Sequence, residues 1–184
     1  NDYTDAYINR GIAYYYKGQF NKAIEDYNKA IEINSELGYV YYNIGLAYYN
    51  KGFYLIAVEN YDKALELQPD YADAYNNRGM AKHEIGDYDI AIQDFTKAIE
   101  IFPNNPDAYN NRGNSYLFLK NFKRAEEDFK KVAEYAGYEA LGFTNLGNVY
   151  SSKGEFQKAG ELYNKAKNSA NVPDWLEPKI IQRQ

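Results

Sequence analysis

The sequence predicts an all-α chain, an α-solenoid of five 34-residue helix-turn-helix repeats. Three observations predict it. Glycine returns every 34 residues, at Gly11, Gly45, Gly79, Gly113 and Gly147. Small residues keep the same beat twice, at Ala23, Ala57, Ala91, Ala125 and Ala159, and at Ala30, Ala64, Ala98, Val132 and Ala166. Aromatic residues also keep it twice, at Tyr7, Tyr41, Tyr75, Tyr109 and Phe143, and at Tyr27, Tyr61, Phe95, Phe129 and Tyr163. The units run 4–37, 38–71, 72–105, 106–139 and 140–173 with no insertion. Positions below are counted from the first residue of each unit.

Within a unit, apolar and small residues recur at spacings of three and four over roughly positions 2–14 and again over roughly 18–29, the pattern of two amphipathic helices. Position 15, between them, is Gly18, Gly52, Gly86 and Gly154, where a left-handed helix cap belongs. Lys120 stands there in unit four, and Asn121 beside it is expected to take the left-handed conformation. Pro69 and Pro103 end the second helices of units two and three. Small residues at positions 8 and 20 are what two closely crossing helices require, with the aromatic columns filling the space around the crossing.

Composition removes several classes of function. The 184 residues include no cysteine and one histidine, so thiolate zinc sites and multi-histidine metal sites are excluded and a catalytic triad is poorly supplied. His83 and Glu84 adjoin Lys82, but no nucleophile or glycine-rich loop accompanies them. The expectation is no catalytic residue, no metal and no cofactor. A net charge of -5 argues against wholesale binding of nucleic acid or anionic lipid. The most apolar stretch, 38–58, is interrupted by Asn43, Asn50 and Lys51, so no membrane insertion is expected. The compartment stays open, with the cytoplasm favoured.

The repeat resembles the tetratricopeptide repeat family. The matching residues are the aromatic at position 4, glycine at 8, a large residue at 11 (Tyr14, Tyr48, Tyr116, Tyr150), alanine at 20, an aromatic at 24, a small residue at 27 and proline at 32. Departures are Lys82 at position 11 of unit three, and Ser35 and Gly137 where proline is usual. The resemblance implies a right-handed superhelix whose concave face is lined by the first helices. It also implies a protein–protein interaction module.

The five units align with one another, and two columns vary together. Position 7 reads Arg10, Ile44, Arg78, Arg112 and Leu146, while position 23 reads Asp26, Asn60, Asp94, Asp128 and Leu162. Arginine accompanies aspartate each time, which predicts a salt bridge between the two helices of one unit. A leucine pair replaces it in unit five, as apolar pairs often can. At the ends, residues 1–3 are expected to be the remnant of an upstream segment, cut from a longer protein. Residues 174–184, with Trp175, Leu176, Ile180 and Ile181, read as a capping segment for the last unit or a linker.

Function is sought on the side of the first helices formed by positions 2, 5, 6, 9, 12 and 13. Position 6 is asparagine in every unit: Asn9, Asn43, Asn77, Asn111 and Asn145. Its amide offers donor and acceptor, which suits the alternating groups of an extended peptide backbone. The resemblance implies that use, and amides bonding between first helices are the alternative. None of these inner positions is Lys or Arg, so a carboxylate clamp, which would need basic groups where Ile8, Asp73 and Asn77 stand, is excluded. The expected partner is a protein or peptide, extended and neutral or basic, with apolar side chains docked around Tyr15, Tyr42 and Tyr49. Tyrosines that stack on one another or form a self-association surface are the alternative at those positions. A self-assembling scaffold, or a regulatory domain excised from a larger enzyme, is the alternative for the chain.

Overall fold

The computed structural model of the chain describes residues 2–169. These form ten helices: α1 (Asp2–Tyr16), α2 (Phe20–Ile33), α3 (Gly38–Asn50), α4 (Tyr54–Leu67), α5 (Ala72–Glu84), α6 (Tyr88–Ile101), α7 (Pro106–Phe118), α8 (Phe122–Ala133), α9 (Glu139–Ser152) and α10 (Phe156–Asn168). Helices α1–α6 make one compact unit, up to Phe102, and α7–α10 a second, from Pro103. In the first unit α1 packs on α2, α3 on α4 and α5 on α6, with α2 against α3 and α4 against α5. In the second, α7 packs on α8, α8 on α9 and α9 on α10. Asp2 and Tyr3 belong to the first turn of α1. The expected cap at 174–184 lies outside the described residues.

The two glycine columns have different jobs. At position 8 the glycine is needed for space. A Cβ built on Gly45 would lie 2.6 Å from Cε1 of Tyr61, and one on Gly113 would lie 2.7 Å from Cε1 of Phe129. The aromatic column at position 24 therefore packs directly against the glycine column at position 8, and Tyr27, Tyr61, Phe95 and Phe129 are fully buried. At position 15 the glycine is needed for conformation. Gly18, Gly52, Gly86 and Gly154 have φ between 71° and 88°. That left-handed turn lets the next amide reach back to position 11, as from Gln19 N to Tyr14 O at 2.9 Å and from Phe53 N to Tyr48 O at 3.0 Å.

Unit four departs from the expectation. Lys120 itself takes the left-handed conformation, at φ 57°, and Asn121 does not. The reason is geometric: Asn121 N must supply the bond to Tyr116 O, made at 2.8 Å, so the left-handed residue has to be the one before it. Asn121 caps α8 instead, its Oδ1 accepting from Arg124 N.

The ion pairs form as the columns predict. Arg10 donates to both oxygens of Asp26 at 2.6 and 2.7 Å, Arg78 to both of Asp94 at 2.9 and 2.5 Å, and Arg112 to both of Asp128 at 2.9 and 2.8 Å. The three carboxylates are buried. Arg78 also reaches Asp62 of the preceding repeat at 2.6 Å. In unit two, where arginine is missing, Asn60 turns its amide onto Ile56 O of its own helix. These arginines are committed to the scaffold.

Candidate functional site

The inner positions of neighbouring first helices meet in both compact units, through bonds between residues 35 apart. In the first unit Asn77 Nδ2 donates to the Tyr42 hydroxyl at 2.8 Å, from position 6 of one repeat to position 5 of the repeat before it. Asn50 Nδ2 donates to the Tyr15 hydroxyl at 2.9 Å, from position 13 to position 12. In the second unit Asn145 Nδ2 donates to Asn110 Oδ1 at 2.7 Å, again from position 6 to position 5.

The five asparagines at position 6 therefore stand in different situations. Asn9 is exposed and Asn43 half-buried, and the side-chain amide of neither makes a hydrogen bond among the described residues. Asn77 spends one donor on Tyr42 and keeps its carbonyl oxygen. Asn111 is half-buried and has a partner of its own. Asn145 is buried, and its amide is used at both ends, since its Oδ1 also accepts from Asn148 Nδ2 at 3.2 Å. The sequence placed all five on one side; which of them brace the repeat was not visible there.

The tyrosines divide similarly. Tyr42 lies against Tyr71 at 4.8 Å between ring centres and against Tyr61 at 5.9 Å, and Tyr49 against Tyr54 at 5.3 Å. Tyr15 meets Phe20 edge-on at 5.5 Å and Tyr16 at 5.7 Å. All of these contacts lie within a single repeat; between repeats Tyr15 and Tyr42 are tied by asparagine. Burial pushes the phenol of Tyr15 up, that of Tyr42 further, and that of Tyr49 to about 12. Each stays protonated at neutral pH. A hydroxyl that accepts from asparagine still carries its own proton, so Tyr15 and Tyr42 present oriented donors on this face.

His83, the single histidine, is half-buried and packs edge-on against Tyr88 at 4.9 Å. Burial lowers its pKa, which fits an aromatic packing role. Among the described residues no three His, Asp or Glu side chains are placed to hold a metal ion. Among them, too, no helix is long and apolar enough to cross a membrane.

Comparison with known proteins follows the repeat. Three family profiles described as tetratricopeptide repeat match residues 4–37, residues 36–104 and 70–137, and residues 110–174. No curated protein matches the chain by sequence. Among solved structures, a MamA protein is 25% identical with a TM-score of 0.81, covering 94% of this chain and 99% of its own. YrrB, described as a TPR protein with an unusual peptide-binding site, is 24% identical with a TM-score of 0.77, covering 96% of this chain and 88% of its own. The first TPR of Spaghetti (RPAP3), bound to the HSP90 peptide SRMEEVD, is 24% identical with a TM-score of 0.63, covering 64% of this chain and 94% of its own.

Proposed function

Because the chain belongs to the tetratricopeptide repeat family, a family of non-enzymatic protein–protein interaction modules, we propose that it binds an extended peptide segment along the inner side of its first helices. The observation that carries this reading is the state of Asn9 and Asn43. Both repeat an amide that the fold uses elsewhere, yet neither makes a bond within the described residues. Asn9, Asn43 and Asn77 would exchange hydrogen bonds with the peptide backbone, with the Tyr15 and Tyr42 hydroxyls donating to its carbonyls. Asn111 holds the same position in the second unit. Asn145 would act there as a brace that sets the face. Tyr15, Tyr42 and Tyr49 would receive apolar side chains.

The absence of Lys and Arg from the inner positions makes the ligand neutral or basic. The acidic peptide held by the Spaghetti TPR is a different class of ligand. YrrB supports the reading more directly, as a protein of this fold described by its peptide-binding site.

The test is selection of binders from a displayed random-peptide library, followed by affinity measurement on variants. Asn9→Ala and Asn43→Ala should each weaken a selected peptide about 2- to 12-fold, the value of one net hydrogen bond. Neither should change the melting temperature. Asn77→Ala should weaken the peptide and lower stability together, because it also strands Tyr42. Selected peptides that bind Asn9→Ala and Asn43→Ala as tightly as the parent chain would remove the ladder from the interface.

A further inference from the structure

Position 12 of the first helix and position 17 of the second form a ring pair in the first three repeats. The pairs are Tyr15 with Phe20 at 5.5 Å, Tyr49 with Tyr54 at 5.3 Å and His83 with Tyr88 at 4.9 Å, at interplanar angles of 60–71°. In repeat four position 17 is still aromatic, Phe122, but position 12 is Leu117. Phe122 has no aromatic partner among the described residues. Position 13 of the following repeat, which is Asn50 beside Tyr15, is here the smaller Ser152. The place that the Tyr15 ring and the Asn50 amide fill in repeat one is thus left open in the second compact unit. It forms a pocket of about 530 Å³ lined by Leu117, Phe118, Lys120, Phe122 and Ser152.

We propose that this pocket receives an aromatic side chain of a protein partner, which completes the ring pair on Phe122. The geometry for such a pair is already set by the three earlier repeats. An edge-on ring on Phe122 satisfies the quadrupole of both partners, and an aliphatic side chain does not. Lys120 supplies a second discriminator. It lines the pocket and makes no ion pair among the described residues. An ammonium over a ring is a contact this chain already uses: Lys51 lies 4.9 Å from the centre of Phe53 and Lys158 lies 3.9 Å from that of Tyr150. The apolar walls and a lone cation select an aromatic ring over an aliphatic or a basic side chain.

The ring's origin in a peptide rests on the peptide-binding reading; the pocket itself does not. The experiment therefore uses free amino-acid amides, N-acetyl-tryptophanamide and N-acetyl-leucinamide, titrated into the full chain and followed by NMR. The tryptophan amide should shift signals of Leu117, Lys120, Phe122 and Ser152 and bind about 2- to 12-fold more tightly than the leucine amide, the factor one aromatic pair is worth. Leu117→Tyr rebuilds the ring of the first two repeats and should abolish binding of both amides while raising the melting temperature. Phe122→Leu keeps an apolar wall and should erase the preference between them. Absence of shifts at these residues, equal binding of the two amides, or tryptophan-amide binding that survives Leu117→Tyr would each overturn the pocket. None of these outcomes depends on Asn9 or Asn43.

Discussion

Replacing Tyr61 by phenylalanine should make the protein more stable. Tyr61 is fully buried, and its hydroxyl has no hydrogen-bond partner among the described residues. Its repeat-mate Tyr163 is equally enclosed but donates to Asn148 Oδ1 at 3.1 Å. Asn148 occupies position 9 of its unit, and the residue at position 9 of unit two is Leu46, which can accept nothing. Units three and four avoid the problem with Phe95 and Phe129. A buried polar group left unpaired costs about 1–3 kcal/mol, and removing one oxygen from a packed ring forfeits little dispersion. The expected gain for Tyr61→Phe is about 1 kcal/mol, or roughly 2–4 °C in Tm for a chain of this size. Tyr163→Phe should go the other way by about 1 kcal/mol, since it breaks a hydrogen bond. Urea unfolding followed by circular dichroism measures both, and an unchanged slope shows that only stability has moved. Destabilisation by Tyr61→Phe would refute the reasoning, because it would mean that the hydroxyl is satisfied, by a buried water for instance.

Three further outcomes follow from the same structure. Lys120→Gly relieves a left-handed conformation worth about 1–2 kcal/mol at the expense of about 0.5–1 kcal/mol of added chain entropy, so a net gain of about 0.5 kcal/mol is expected in chemical denaturation. Arg78→Ala leaves the buried carboxylate of Asp94 unpaired and should cost about 3 kcal/mol, whereas Arg78→Leu with Asp94→Leu, which copies Leu146 and Leu162, should stay within about 1 kcal/mol of the parent. Hydrogen bonds from Arg10 hold the Asp26 carboxyl below its usual range. Its stabilisation is therefore complete above the unfolded pKa and is lost as pH falls through the folded one. The penalty of Asp26→Asn should be full at pH 7 and should disappear in acid, as read from unfolding curves collected over a pH series.

What the sequence revealed, it revealed through repetition. Five copies of one unit act as an alignment, so the Arg10–Asp26, Arg78–Asp94 and Arg112–Asp128 pairs could be read from two columns that change together. The second partner of Arg78 could not. Asp62 stands at position 25, where the other units carry Asn28, Thr96, Lys130 and Asn164, and a single occurrence has nothing to vary with. Asn121 misled for a different reason. Its type suits a left-handed turn, but the turn is fixed by which amide closes the bond to Tyr116, and that assigns the strain to Lys120. The asparagine column was illegible in the opposite sense, because a residue that never changes cannot covary with its partner.

The partner column is what tells the asparagines apart. Position 5 of the preceding repeat offers an acceptor to Asn77, in Tyr42, and to Asn145, in Asn110. To Asn43 it offers Ile8, buried and apolar. The same amide in the same place is thus a brace where position 5 is polar and an unspent group where it is not. An asparagine used as a brace keeps part of its capacity, since one donor given to Tyr42 leaves Asn77 its oxygen and leaves the phenol its proton. Bracing and ligand binding are therefore not rival uses of the column. The inter-repeat bond fixes the direction in which the remaining groups point, and preorganisation of that kind lowers the entropy lost when a ligand is held. The ladder is best read as pairs of neighbouring repeats, with the identity of position 5 deciding how much of each amide is left to offer.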